Sequence, residues 1–309
     1  KNYRQVRMVN HIKNKKMNYL KPLHFKFTAI VLLICCNSLF SQKIEPKKRI
    51  TKPDHIITSN IMGKKYRLYI SFPKDYSTKD SISYPVLYVL DGEIFFPIIK
   101  EIRKIFELGQ EIEDIIIVGV SSPDWFRTRF YDFTPTVSTF EEEEKDKRDG
   151  APIGTHKSGG ADQFIKSLKT EIIPFVDKNY KTNSDRGIYG HSLAGMFTAY
   201  CLLNSDGYFT RFGINSPSFW YDNNKLLNQA VTQFTENKTW DLPQTKVFIS
   251  VGDQEGEEML PTMLKYSKYL EKSDYDPIHL KWQIFTEEGH FSVIPGNISK
   301  TLSTLYGKK

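Results

Sequence analysis

Residues 187–200 read GIYGHSLAGMFTAY, and this stretch decides the fold. An apolar run, Gly187 to Tyr189, is followed by small residues around Ser192 and then by a helical run from Met196. That order predicts a strand, a tight turn and a helix, with the hydroxyl of Ser192 held exposed at the end of a sheet. One residue departs from the usual G-x-S-x-G pattern: Ala194 takes the fifth position, and glycine follows at Gly195.

A serine hydroxyl needs a base to take its proton and an acid to orient that base, and both are expected after later strands. The run 246–251 predicts a buried strand and is followed by Gly252-Asp253-Gln254-Glu255. The run 279–285 predicts the last strand and is followed by a loop that ends in Gly289-His290. We therefore predict Ser192 as nucleophile, His290 as base and Glu255 as acid. Asp253 is the alternative acid, because Asp253 lies in the same loop.

An acyl-transfer site also needs N–H donors for the oxyanion that develops on the substrate carbonyl. One predicted donor is the backbone N–H of Leu193, directly after the nucleophile. The other is the backbone N–H of Glu93, in the loop after the strand at 85–90. Gly92 would let the main chain approach a substrate closely, although a turn glycine explains it equally well.

The remaining sequence predicts strands that alternate with helices. Besides the runs above, buried strands are expected at 85–90, 115–120 and 212–215, and helices at 94–108, 161–180 and 257–272. Such alternation favours an α/β fold with a mostly parallel central sheet and helices on both faces. A hairpin through Gly63 precedes it. The segment 121–160 is long and charged and shows no regular periodicity, which predicts an irregular loop that serves as a lid or is solvated. We expect one domain over 55–309, after a polar linker at 42–54.

The net charge of +7 is concentrated in the first 41 residues, which hold eight Lys and Arg and no acidic residue. Without them, 35 basic residues face 36 acidic ones, so the charge gives no reason to expect a nucleic-acid partner. An apolar run from Phe27 to Cys36 follows a short basic region, which is the layout of a secretory signal peptide with a start at Met17 and cleavage after Ser41. The run is short for a membrane span. We expect an exported protein; an uncleaved anchor or a lipoprotein is the alternative.

These motifs together resemble the putative esterase family of α/β-hydrolases, in particular its enterochelin-type siderophore esterases. The resemblance covers about 55–305 and is carried by the following strings: Tyr84-Pro85-Val86-Leu87-Tyr88-Val89-Leu90-Asp91-Gly92, Ser158-Gly159-Gly160-Ala161-Asp162-Gln163-Phe164, Gly190-His191-Ser192-Leu193-Ala194-Gly195, Ser216-Pro217-Ser218-Phe219-Trp220-Tyr221 and Gly289-His290. It implies an α/β-hydrolase fold and ester hydrolysis through an acyl-enzyme, with Ser192, His290 and Glu255 as the triad. Ala194 again departs from the family pattern.

The sequence leaves the substrate open. The motifs are compatible with a siderophore-like oligoester and with the acetyl or feruloyl groups of a polysaccharide. A third hypothesis is a binding protein without catalytic activity. We expect Arg129, Trp220 and Tyr221 to contact the substrate. Arg129 would equally serve in a structural salt bridge to Asp132 or to the acidic run 141–144. The sequence contains neither a zinc-type His/Cys cluster nor a GxxxxGK[ST] loop, so we expect no metal and no cofactor.

Overall fold

We describe a computed structural model of the protein over residues 52–78, 81–237 and 239–308. These residues belong to one compact unit, Thr51–Lys309. The predicted leader at 1–41 and residues 42–51 of the predicted linker at 42–54 lie outside the described residues. In the described part of the chain, no helix is both long enough and apolar enough to cross a membrane.

Eight strands of the described residues form one sheet, in the order β1-β2-β4-β3-β5-β6-β7-β8. Strand β1 pairs antiparallel with β2, and β2 pairs antiparallel with β4. All later neighbours in this order, β4-β3-β5-β6-β7-β8, pair in parallel. The strands are β1 (His55–Ser59), β2 (Lys64–Ser71), β3 (Tyr84–Val89), β4 (Ile116–Ser121), β5 (Thr182–His191), β6 (Arg211–Asn215), β7 (Thr245–Gly252) and β8 (Ile278–Phe285). The predicted mostly parallel sheet is therefore confirmed.

Helices connect the parallel strands. They are α1 (Gly92–Gly109), α2 (Trp125–Phe133), α3 (Thr139–Asp149), α4 (Ala161–Ser167), α5 (Ile173–Asn179), α6 (Leu193–Asn204), α7 (Tyr221–Glu236), α8 (Met259–Ser273) and α9 (Ile294–Tyr306). One π-helical turn, Leu168–Ile172, joins α4 to α5, so the helix expected at 161–180 is interrupted. The helices α7 and α9 were not anticipated from the sequence.

A separate apolar core lies on each face of the sheet. Val86 and Tyr88 of β3 belong to the larger core, which includes residues of α4, α6, α7 and α8. Leu87 and Val89 of the same strand belong to the second core, with residues of α1 and α9. Successive side chains of a strand point to opposite faces, so the continuous apolar run of β3 serves both cores.

The segment 121–160 differs from its prediction as an irregular loop, since it contains α2 and α3. Ser138 caps α3 by accepting a hydrogen bond from the backbone N–H of Glu141 at 3.4 Å. The spacing Ser138-x-x-Glu141 is a helix-start signal. The high charge of α3 hid this signal: the four glutamates 141–144 lie in a helix and not in a solvated loop.

Candidate active site

Ser192 occupies the turn between β5 and α6, as its sequence context predicts. Its backbone has φ 63° and ψ −123°, a conformation that costs free energy for a residue with a Cβ. Two main-chain hydrogen bonds hold the turn: the N–H of Ser192 donates to Asn215 at 3.0 Å, and the N–H of Ser218 donates to the carbonyl of Ser192 at 3.2 Å. The strained turn is thus tied to the loop that follows β6.

Two glycines allow this turn to form. A Cβ at Gly190 would lie 2.1 Å from the carbonyl oxygen of Ala194, and a Cβ at Gly195 would lie 2.4 Å from that of Asn215. Both distances are much shorter than a van der Waals contact, and the atoms approached belong to the rigid main chain. Ala194, the departure from the family pattern, is fully buried in the larger core. Gly190 and Gly195 are therefore the positions in this turn that leave no room for a side chain, whereas the methyl group of Ala194 fits.

Glu255 and His290 meet at the carboxyl edge of the sheet. The Nδ1 of His290 lies 2.7 Å from Oε2 of Glu255, and the Glu255 carboxylate is 0% exposed. A carboxylate at Nδ1 fixes the ring with its proton on that nitrogen, which leaves Nε2 free to act as a base. The two residues come from loops after β7 and β8, as predicted.

The second carboxylate oxygen of Glu255 is also satisfied. It accepts hydrogen bonds from the backbone N–H of Gly252 at 2.5 Å and from the hydroxyl of Ser216 at 2.7 Å. These bonds orient the buried carboxylate toward His290. Asp253, the alternative acid, is exposed to solvent. The geometry favours Glu255.

The hydroxyl of Ser192 has Ser218 as its neighbour, with 3.4 Å between the two Oγ atoms. Within the described part of the chain, this hydroxyl forms no hydrogen bond to His290. Such bonds are often long before a substrate is bound. Ser218 and Ser216 were missed as site residues, although both lie in the string 216–221 that supports the family resemblance.

Both predicted oxyanion donors lie in the first turn of a helix. Leu193 opens α6, and Glu93 is the second residue of α1. The first N–H groups of a helix have no acceptor within the helix, so they are available to an anion. Gly92 is more than a turn residue: a Cβ there would lie 2.6 Å from the main chain of Gly119 and Val120, so α1 starts directly against β4.

Arg129 forms a salt bridge, but with a different partner from those considered. Its Nε and Nη2 donate to the carboxylate of Asp91 at 3.0 Å and 2.8 Å. Asp91 is 3% exposed and precedes α1, where it adopts a left-handed conformation with φ 49°. The sequence suggested Asp132 or the run 141–144 as the partner, and it did not suggest Asp91. Arg129 therefore supports the start of α1, where the predicted donor Glu93 lies.

Asp132 pairs with Lys64 and accepts a hydrogen bond from the hydroxyl of Tyr66 at 3.0 Å. Asp132, Asp91 and Arg129 line the same small cavity of about 10 Å³. Burial raises the pKa of Asp132 to about 6, and the nearby Asp91 charge adds to that increase. These side chains thus form a charged cluster next to the start of α1.

Of the other predicted substrate contacts, Tyr221 is placed in the core. It is 1% exposed, and its hydroxyl donates to the carbonyl of Thr136 at 2.9 Å. Tyr221 therefore packs the start of α7 and is not open to a ligand, which corrects the expectation. Trp220, by contrast, is only partly buried against the larger core. Among the described residues, no group of three or more His, Cys, Asp or Glu side chains is arranged to hold a metal ion.

Comparison with known proteins shows which family the chain resembles. A family model described as "Putative esterase" matches residues 59–290. The chain is 25% identical over 257 residues to the ferri-bacillibactin esterase BesA of Bacillus subtilis. This match covers 80% of this chain and 86% of that protein. It is 30% identical over 169 residues to the apo-salmochelin esterase of Escherichia coli, with 53% of this chain and 50% of that protein covered.

Solved structures show the same fold. The crystal structure of the BES protein from Bacillus cereus superposes with a TM-score of 0.69 at 31% identity and covers 82% of this chain and 94% of that one. An IroE-like serine hydrolase from Shewanella oneidensis gives a TM-score of 0.70 at 21% identity, with 81% and 78% covered. The predicted α/β-hydrolase fold is confirmed.

Proposed function

The chain belongs to the Putative esterase family of carboxylic ester hydrolases, and from that premise we propose that it is a serine esterase for siderophore-like oligoesters. The observation that carries the proposal is the buried Glu255 carboxylate 2.7 Å from His290, on the sheet edge where Ser192 occupies its strained turn. An acid, a base and a nucleophile at one edge are the elements of a hydrolytic triad.

In the proposed reaction, Ser192 Oγ attacks the ester carbonyl carbon while His290 Nε2 takes the hydroxyl proton. The tetrahedral intermediate then collapses, the bond to the leaving alkoxide breaks, and His290 returns the proton to give an alcohol. Water repeats the sequence on the acyl-enzyme: His290 takes its proton, the acid is released and Ser192 regains its hydrogen. Glu255 stays ionised throughout and stabilises the imidazolium that forms twice.

The oxyanion of each tetrahedral intermediate would be held by the backbone N–H groups of Leu193 and Glu93. Both belong to first turns of helices, so the positive end of a helix dipole adds to each hydrogen bond. The ion pair between Asp91 and Arg129 supports this arrangement, because Asp91 directly precedes Gly92 and Glu93 at the start of α1.

The substrate class is supported by the relatives, whose names state activity on ferri-bacillibactin and on salmochelin. We propose for this chain an oligoester of the same chemistry, a lactone with catecholate groups. Trp220 is the proposed aromatic contact, since it follows Ser218 in the loop beside Ser192 and is partly exposed. Arg129 is not assigned to the substrate, because its Nε and Nη2 already donate to Asp91.

The test compares two substrates with purified protein. A ferric catecholate trilactone should be hydrolysed with a higher kcat/KM than feruloylated xylan, and Ser192→Ala should abolish both activities. A higher kcat/KM on xylan would identify an esterase of polysaccharide decorations instead. No hydrolysis of either, nor of p-nitrophenyl acetate, would favour a binding protein that keeps the fold.

We also propose that the protein is exported. The support is the basic and apolar leader that ends near Ser41. Expression with its full leader in a bacterial host should yield a mature chain beginning at Gln42. A chain that retains residues 17–41 would contradict cleavage.

A further inference from the structure

His191 is buried directly beside the proposed base. Its side chain is 2% exposed, and its ring centroid lies 4.6 Å from that of His290, with 39° between the two ring planes. On another side, Phe95 of α1 approaches the same ring at 5.7 Å. The mechanism above assigns nothing to His191, although a buried polar ring in this place requires an explanation.

A chain of hydrogen bonds fixes which nitrogen of His191 carries the proton. The hydroxyl of Tyr189 donates to Oδ1 of Asn297 at 3.2 Å, so this amide presents its Nδ2 donor to His191. That Nδ2 lies 3.4 Å from Nδ1 of His191, and Nδ1 must therefore be the acceptor. The hydrogen of the neutral ring is consequently on Nε2.

The Nε2–H group has no partner of regular hydrogen-bond geometry within the described residues. The backbone of His290 lies near enough to this ring to act in the direction that raises the pKa of His191. Burial and the charges of His290 and Arg129 dominate, and together they lower this pKa to about 3. The His191 ring is therefore neutral at any pH well above 3.

We propose that His191 is a positioning residue for His290: its ring supports the face of the imidazole, and its Nε2–H holds the main chain of His290. This proposal rests on the proposed function, since it gives His290 the role of base. A buried donor without a regular partner is unfavourable, so an interaction of this N–H with the His290 carbonyl would reduce that cost. The loop after β8 is thereby tied to α9 through Asn297.

The neutral state matters for the reaction. The imidazolium of His290 forms in both halves of the catalytic cycle, and a second positive ring at 4.6 Å would oppose it. A neutral ring supplies the same support without that repulsion. The position of His290 relative to Ser192 also affects the rate steeply, because a displacement of about 1 Å can cost about 100-fold.

The test replaces His191 by residues that keep or remove the Nε2 donor. The amide nitrogen of Gln reaches about as far as Nε2, whereas Asn reaches only as far as Nδ1 and Phe keeps the ring without a donor. We expect His191→Phe and His191→Asn to lower kcat at least 10-fold with KM within about twofold, and His191→Gln to stay within about threefold of wild type. Equal kcat in wild type and His191→Phe, equal loss in Phe and Gln, or a loss confined to KM would overturn the proposal.

A second measurement does not depend on activity. ¹⁵N NMR of the folded wild-type protein should show His191 with its hydrogen on Nε2, and Asn297→Asp should move it to Nδ1, because a carboxylate accepts where the amide donated. Asn297→Asp should then lower kcat as His191→Phe does. Hydrogen on Nδ1 in the wild type would overturn the proposal even if the enzyme hydrolyses esters. Failure of the proposed function would appear separately, as activity that Ser192→Ala retains.

Discussion

His290 Nδ1 lies 2.7 Å from Oε2 of Glu255, and three hydrogen bonds in all hold this solvent-inaccessible carboxylate. Glu255→Gln should lower kcat by about 10²–10⁴-fold with little change in KM, because the amide no longer stabilises the imidazolium and favours the wrong tautomer. Steady-state hydrolysis of p-nitrophenyl acetate by both proteins gives the kcat and KM values that test this prediction.

Asp253→Asn is the matched control, two residues away in the same loop and exposed. It should leave kcat within about twofold of wild type. A large loss in Asp253→Asn with near-normal Glu255→Gln would mean that the acid has been assigned to the wrong residue.

The turn at Ser192 predicts different effects on activity at two neighbouring positions. Gly195→Ala should lower the free energy of unfolding by about 1–3 kcal/mol and reduce activity strongly, because the new Cβ would lie 2.4 Å from the carbonyl of Asn215. Ala194→Gly restores the family pattern and should keep kcat, at a cost of about 1 kcal/mol in stability. Urea unfolding and activity assays of both variants check this. Normal activity in Gly195→Ala would show that the turn has more room than the structure indicates.

The pair formed by Asp91 and Arg129 predicts a coupled loss of stability and activity. Arg129→Gln leaves the buried Asp91 carboxylate without its charge partner and should cost about 3 kcal/mol. kcat should fall as well, since Asp91 is the N-cap residue of α1, whose second residue is the proposed donor Glu93. Arg127→Gln, an exposed change on the same helix, serves as control. In a double-mutant cycle, adding Asp91→Asn should recover much of the lost stability; additive losses would argue against the pair.

Asp132 predicts a pH dependence of stability. Burial raises its pKa in the folded protein to about 6, from an ordinary value of 3.8. Between these pH values the folded protein binds more protons at this group than the unfolded chain does. The contribution of Asp132 to stability therefore falls as pH rises from about 4 to about 6. The free energy of unfolding of wild type minus that of Asp132→Asn should decrease over this range; a difference that increases would contradict the assignment.

Local signals in the sequence predicted most of the site. The small residues around Ser192 encode the turn, and the strand runs place Glu255 and His290 in loops at the same sheet edge. Helix α3 was missed because its charges obscure any apolar periodicity, although the Ser138 cap was visible.

Contacts distant in sequence could not be predicted. Arg129 bonds to Asp91 across 38 residues, and Asn297 approaches His191 across 106. Both depend on how α2 and α9 pack on the sheet, which single-residue patterns do not encode. The burial of Tyr221 was missed for the same reason: its hydroxyl partner, Thr136, lies 85 residues away.

The central claim is that Ser192 is the nucleophile of a serine esterase. A fluorophosphonate reacts covalently with an activated serine, so intact-mass analysis and peptide mapping of treated protein test the claim directly. We predict one adduct per chain, on Ser192, with loss of hydrolysis, and no adduct in Ser192→Ala. An adduct on another residue, or full hydrolysis by Ser192→Ala, would contradict the account.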